Sequence, residues 1–235
     1  MAMVKSIHVA IAIVCMAVVL AVIIQPVRKE PYAGNVVGDT IILPEPRNSG
    51  GISVEEALLE RRSIRNYKNE ALTLAEISQL LWAAQGITHP GGYRTAPSAG
   101  ALYPLEVYVV AGNVDGLQAG IYKYRPQGHE LEKVAEGDVR AELCAAALDQ
   151  ECIEDGAAVL VFAAVYERTT RKYGERGVRY VHMEVGHAAQ NVYLQAVSQG
   201  LGTVVVGAFD DGGVEKLLQM QDDERALCIM PVGRL

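Results

Sequence analysis

The run "AAVLVFAAVY", Ala157–Tyr166, sets the tightest limit on the fold. It contains no charged side chain and shows no alternation of polar with apolar residues. A strand with one wet face would alternate, because successive side chains point to opposite sides of a sheet. This run therefore reads as a central strand buried on both faces. Further strand signals are "LEVYVVAG" (105–112), "TVVVGAF" (203–209) and "ALCIMPVG" (226–233), and "GIYKYRPQGHELEKV" (120–134) reads as two strands around a Pro126–Gly128 turn. Helix starts are marked by Ser53 with Glu56 and by Thr73 with Glu76, two capping-box patterns, and Gly86 marks the end of the second helix. Helical spacing recurs over 139–150, over the long stretch 178–200 and over 213–220. Helices and strands mix without strict βαβ alternation, which predicts an α+β fold with a mixed or antiparallel sheet flanked by helices.

The N-terminus differs in kind. Ser6–Val27 carries no Asp, Glu, Lys or Arg. As a helix it would extend about 33 Å, the thickness of a bilayer core. It exceeds the apolar region of a cleaved signal peptide, and no small-x-small cleavage site follows it. The expectation is a transmembrane anchor over 1–28, a Pro/Gly-rich linker over 29–52 with a short extended piece at Thr40–Leu43, and one globular domain over 53–235. Lys5 before the span and Arg28 and Lys29 after it nearly balance, so the positive-inside rule does not fix the orientation. The chain is expected to be a single-pass membrane protein with its domain on the cytoplasmic side. The net charge of −7 argues against nucleic-acid binding. The four cysteines show neither a disulfide framework nor metal-type spacing.

Several stretches could carry chemistry. "ERRSIRNY" (60–67) sets Arg61, Arg62 and Arg65 around Ser63, a donor set suited to phosphate oxygens; it also suits a solvated basic patch at a helix end. Gly200 and Gly202 follow a helix and open a strand, the reverse of a dinucleotide fingerprint, so that reading fails. Gly207 lies inside a strand pattern, where a glycine often lets a ligand approach backbone. The long helix carries a polar row at Tyr180, Glu184, His187 and Asn191 opposite an apolar row at Val181, Val185, Ala188, Val192 and Ala196. Glu184 and His187 have the spacing used in di-iron bundles, but no second pair exists, so no metal is expected and a buried hydrogen-bond network is the simpler account. "ERTTRKYGERGVRY" (167–180) reads as a charged, Gly-broken loop, either a lid that offers Lys172 and Tyr173 for proton transfer or a solvated connection. No GxSxG, HExxH or P-loop pattern occurs, which leaves hydrolase and kinase chemistry without support.

From Ser53 onward the motifs "RRSIR", "LLWAAQGIT", "RTAPSAGALYP", "GIYKY", "EVGHAAQNVYLQA", "GLGTVVVGAFDD" and "MPVGR" occur in an order that resembles the FMN-dependent nitroreductase family, closest to its SagB-type (thiazole/oxazole-forming) dehydrogenase branch. The resemblance implies an α+β homodimer with FMN at the subunit interface. It assigns Arg61, Arg62, Ser63 and Arg65 to the phosphate and ribityl side, and Pro97, Ser98 and Ala99 to a segment reaching the flavin from the partner subunit. Val205, Gly207 and Ala208 match backbone facing the flavin ring. Gln150 and Arg234 are further expected contacts, with Arg234 standing in for the basic tail of many nitroreductases. Ala101 replaces an Asn common in the family. Lys172 and Tyr173 match a Lys-Tyr pair linked to proton abstraction in azoline-oxidising members. The implied function is transfer of hydride between NAD(P)H and a small organic acceptor. The alternatives are dehydrogenation of thiazoline or oxazoline rings in a peptide, or a non-catalytic flavin-binding partner subunit.

Overall fold

The computed structural model describes residues 36–235. The expected anchor over 1–28 and the first part of the linker lie outside the described residues. Among the described residues, no helix is long and apolar enough to cross a membrane.

The core is an eight-stranded sheet. Its order is β1 (Val36–Val37), β2 (Thr40–Ile42), β7 (Glu130–Glu136), β6 (Gly120–Arg125), β4 (Leu105–Ala111), β8 (Ala158–Val165), β10 (Glu224–Arg234) and β9 (Leu201–Thr203). Every pairing within it is antiparallel, so of the two expected forms of sheet the antiparallel one is found. β3 (Leu72–Thr73) and β5 (Val114–Asp115) form a separate parallel pair. Strand β8 is the run that opened the sequence argument, and it sits between β4 and β10 with every residue buried. Its even residues, Leu160 and Phe162 among them, join one core; Val159, Val161 and Ala163 join the other. The first core is closed by α2 (Leu74–Gln85) and α6 (Arg176–Ser198) through Ile77, Leu81, Val181, Ala188 and Val192. The second is closed by α3 (Arg140–Ala146), α4 (Cys152–Asp155) and α7 (Asp211–Leu217) through Leu143, Ile153 and Val214. Helix α1 (Val54–Glu60) and helix α5 (Glu167–Tyr173) complete the set.

The helix starts follow their local chemistry. Ser53 Oγ accepts the Glu56 N–H at 3.1 Å and caps α1. At α2 the box is reciprocal: Thr73 Oγ1 accepts the Glu76 N–H, and the Glu76 carboxylate accepts the Thr73 N–H.

The short extended piece expected at Thr40–Leu43 is found: Thr40–Ile42 pairs with β7, and Ile41 and Leu43 bury in the core, because each apolar side chain gains more there than in water. Three expectations are corrected. The strand expected over 203–209 stops at Thr203; beyond it only Val206 bridges to Ile229. Val204 and Val206 stay buried, while the Val205 N–H leaves the ladder for a side-chain acceptor on α6. The charged stretch 167–180 is helical. It forms α5 and the first turn of α6, broken at Gly174, whose φ of 56° favours glycine. Finally, the polar row does not form one buried network: Glu184 is buried beside Val181 and Ala188, at 2 % exposure, while His187 is exposed.

Candidate functional site

Two groups of the expected residues are assembled, and α6 carries both. Glu184 and Tyr193 anchor them, nine residues apart on that helix, which is about 13.5 Å of helical rise.

The first group lies where the chain after α1 runs beside β9. The Ile64 N–H donates to the Thr203 carbonyl at 2.9 Å, which fixes the "RRSIR" segment against the segment that leads to Val205–Ala208. Tyr193 joins the two. Its hydroxyl accepts the Val205 N–H at 2.8 Å and lies 3.0 Å from Ser63 Oγ, and the Arg61 guanidinium sits 5.2 Å from its ring centroid. A phenol oxygen that accepts an amide N–H can still donate its own O–H to Ser63 Oγ, so one hydroxyl orders both segments. Val205 is 37 % exposed, and a Cβ built on Gly207 would meet no atom within 4 Å. Gln150 Nε2 donates to the Ala208 carbonyl at 3.0 Å and closes the end of the strip. Among the described residues the Gly207 and Ala208 amides and the Arg65 guanidinium make no hydrogen bond.

Two expected members belong elsewhere. Arg62 turns back and donates to the carbonyls of Leu59 and Arg61, at 2.9 and 2.7 Å, so its charge caps the C-terminal end of α1. Arg234 is held by Glu76: its Nη1 and Nη2 donate to the two carboxylate oxygens at 2.7 and 2.9 Å, and its Nε to the Ala71 carbonyl. Such a bidentate fork leaves no free face for a phosphate. Arg234 is therefore a structural link between β10 and α2.

The second group surrounds the turn Pro97–Ala101. Gly100 has φ 66°, and the non-glycine residues Ala101 and Tyr103 also take left-handed conformations, at 55° and 47°. Such a backbone persists only where its surroundings fix it. Here Ser98 Oγ accepts the Tyr103 N–H at 2.9 Å and closes the turn. Lys172 and Tyr173 press on its apex: a Cβ on Gly100 would lie 2.8 Å from Tyr173 Oη and 3.0 Å from Lys172 Nζ. Helix α5 thus sets the expected Lys-Tyr pair directly on the expected flavin-contact segment. Below it lies Glu184, whose Oε1 has no partner among the described residues. Burial pushes its carboxyl up to about 7, and the Ser98 hydroxyl and the Arg94 charge only partly offset this.

Sequence reasoning missed Tyr193 and Arg94. Tyr193 carried a signal, since a phenol beside Val192 on the buried side of a helix needs a partner for its hydroxyl. Arg94 carried none, for its neighbours are set by the return of the chain from β4 and α5.

Comparison with known proteins identifies the family to which this fold belongs. The chain is 50 % identical over 198 residues to a Methanocaldococcus jannaschii protein named as a nitroreductase, MJ1384, covering 84 % of this chain and 98 % of that protein. A crystal structure described as a nitroreductase from Ralstonia eutropha JMP134 superposes with a TM-score of 0.74 at 31 % identity, covering 89 % of this chain and 97 % of the other. A chain of the Escherichia coli microcin synthetase McbBCD complex, solved with truncated pro-MccB17 bound, gives a TM-score of 0.65 at 27 % identity, covering 90 % and 79 %. The family model described as the nitroreductase family matches residues 58–234. From α1 to the end of β10, then, this chain is a member of the nitroreductase family.

Proposed function

We propose that this chain is an FMN-dependent oxidoreductase that moves hydride between NAD(P)H and a small organic acceptor, working as a homodimer. One observation carries the reading. Among the described residues, the strip formed by Arg61, Ser63, Arg65 and Val205–Ala208 presents the Arg65 guanidinium and the Gly207 and Ala208 amides without hydrogen-bond partners, beside a Gly207 with nothing within 4 Å of its Cβ position. That donor set fits FMN: cations for the phosphate, hydroxyls for the ribityl chain, and bare backbone for a flat ring. When bound, FMN supplies the hydride chemistry. Arg61 and Arg65 would hold its phosphate. The Gly207 and Ala208 amides would donate to the ring edge that gains negative charge on reduction. Tyr193 keeps both segments in register.

The second group supports the homodimer. The Pro97–Ala101 turn exposes Pro97, Gly100 and Ala101, and among the described residues nothing lies within 4 Å of a Cβ built on Gly207 in the 205–208 strip. A turn from a second copy would cover the ring and exclude water. Lys172 Nζ and Tyr173 Oη, seated on that turn, would then hold or take a proton at the acceptor.

The same pair supports a second reading, dehydrogenation of azoline rings in a peptide, since Lys172 and Tyr173 bear on the turn rather than on solvent alone and one similar complex was solved with a peptide precursor bound. Purified protein is expected to be yellow with a flavin spectrum and to bleach anaerobically with NADH or NADPH. Colourless protein that takes up no added FMN would overturn both readings. Flavin that stays oxidised with either nicotinamide would favour the azoline reading. Lys172→Ala should lower turnover while FMN content stays unchanged; loss of FMN instead would make Lys172 structural.

A further inference from the structure

A cavity of about 290 Å³ lies where the start of β4, the end of β6 and α5 meet. Its lining includes three arginines, Arg94, Arg125 and Arg168, and one carboxylate, Glu106. In a chain of net charge −7 this lining runs against the charge of the whole molecule.

The cations are unequally served. Arg168 donates to Glu106 at 2.5 Å and to the Tyr103 carbonyl at 3.1 Å. Arg125 is paired with Glu132 at 2.6 Å. Glu106 is further shared with Lys123 at 3.4 Å. Arg94 has no carboxylate within ion-pair distance among the described residues. Its guanidinium donates to Gln85 Oε1 at 2.7 Å and lies 4.5 Å from the Tyr103 ring centroid. Gln85 is buried, and its Nε2 has no acceptor among the described residues. A desolvated cation beside an orphaned amide donor is unfavourable unless an anion joins them. Burial lowers the Arg94 pKa, with Glu106 and Glu184 only partly offsetting it. Glu184 is itself held up to about 7, so near neutral pH it offers only part of a charge.

We propose that this cavity is a binding site for the carboxylate of a small ligand, which would accept from Arg94 and Gln85 Nε2 with Arg125 and Arg168 at the rim. A planar monoanion matches the guanidinium fork. Glu106 in the wall disfavours a doubly charged phosphate by like-charge repulsion. Occupancy would also tie two elements together. Arg94 opens the segment that ends in the Pro97–Ala101 turn, and Arg168 shares α5 with Lys172 and Tyr173. The site stands or falls apart from the flavin reading, because its test measures binding to the chain itself.

The test is isothermal titration of the full chain with N-acetylglycine and, separately, inorganic phosphate, at ionic strength fixed with sodium chloride. Saturable binding of N-acetylglycine at one site is expected. It should be lost in Arg94→Gln and at least tenfold weaker in the double variant Arg125→Gln/Arg168→Gln. If Arg94→Gln does not fold, the double variant carries the test, since its side chains are about two-fifths exposed. No saturable heat with either probe, or equal binding by the double variant, overturns the site. Tighter binding of phosphate than of N-acetylglycine overturns the carboxylate assignment.

Discussion

The two ends of α6 solve opposite problems. Among the described residues, the chain at Tyr193 presents a strip with unpaired donors, an exposed Val205 and nothing within 4 Å of the Gly207 Cβ position. At Glu184 the backbone is held: a left-handed turn has a lysine and a tyrosine against its glycine, and the buried carboxyl has one oxygen without a partner among the described residues. An open strip of donors is inexpensive in the free chain because water satisfies it. It becomes a site only when something flat and anionic lies on it. A packed, strained corner costs stability at all times and is therefore expected to present side chains in fixed positions. The contrast separates an open surface of donors from a corner fixed in advance.

The strongest way to break this contrast is at the open end. Arg61→Ala with Arg65→Ala should weaken FMN binding by about 3–6 kcal/mol, from about 1.5–3 kcal/mol per charged hydrogen bond, while the melting temperature of the apoprotein barely moves. Unchanged FMN retention in equilibrium dialysis would remove the phosphate assignment.

At the packed end the test is pH. The folded-state pKa of Glu184 is raised to about 7, so the folded chain holds its proton where the unfolded chain has released it. Stability should therefore fall as pH rises from about 4.5 to about 7 and level off above, by up to about 3 kcal/mol for this group. Glu184→Gln should flatten that part of the profile in denaturant titrations. An unchanged slope would show that the carboxyl is solvated.

Two glycines sharpen the comparison. Gly100→Ala should cost about 1–3 kcal/mol, because it combines a left-handed φ with a clash against Lys172 and Tyr173. Gly207→Ala meets open space, so its stability should stay within about 0.5 kcal/mol while FMN binding weakens. Equal losses of stability at both positions would erase the difference between the two ends. Arg234→Gln falls between the two glycines in stability: it breaks a partly exposed ion pair with Glu76, worth about 1 kcal/mol, and should leave FMN retention untouched.

Some of the site was legible before the structure. Ser63 and Gly207 could be singled out because residue type alone limits what they do: a hydroxyl among guanidinium groups, and a missing side chain inside a strand pattern. Arg61 and Arg234 could not be told apart by residue type, because only their partners separate them. Glu76, which closes the cap of α2, also faces the end of β10 and captures Arg234. Nothing near Arg234 in sequence carries that information.

By itself the sequence determined what local chemistry and periodicity control. The β8 run is buried on both faces, Ser53 and Thr73 start helices, and Pro126–Gly128 turns a hairpin, because each is decided within a few residues of backbone. The tertiary structure alone decided which charges are spent and which are free. Among the described residues, Arg62 and Arg234 are engaged, Arg65 makes no hydrogen bond, Arg94 is half-buried with no carboxylate in ion-pair range, and Glu184 is held at the edge of ionisation. Those states depend on distance and burial between segments far apart in the chain, and a side chain's charge has no fixed energy until its neighbours and its access to water are set.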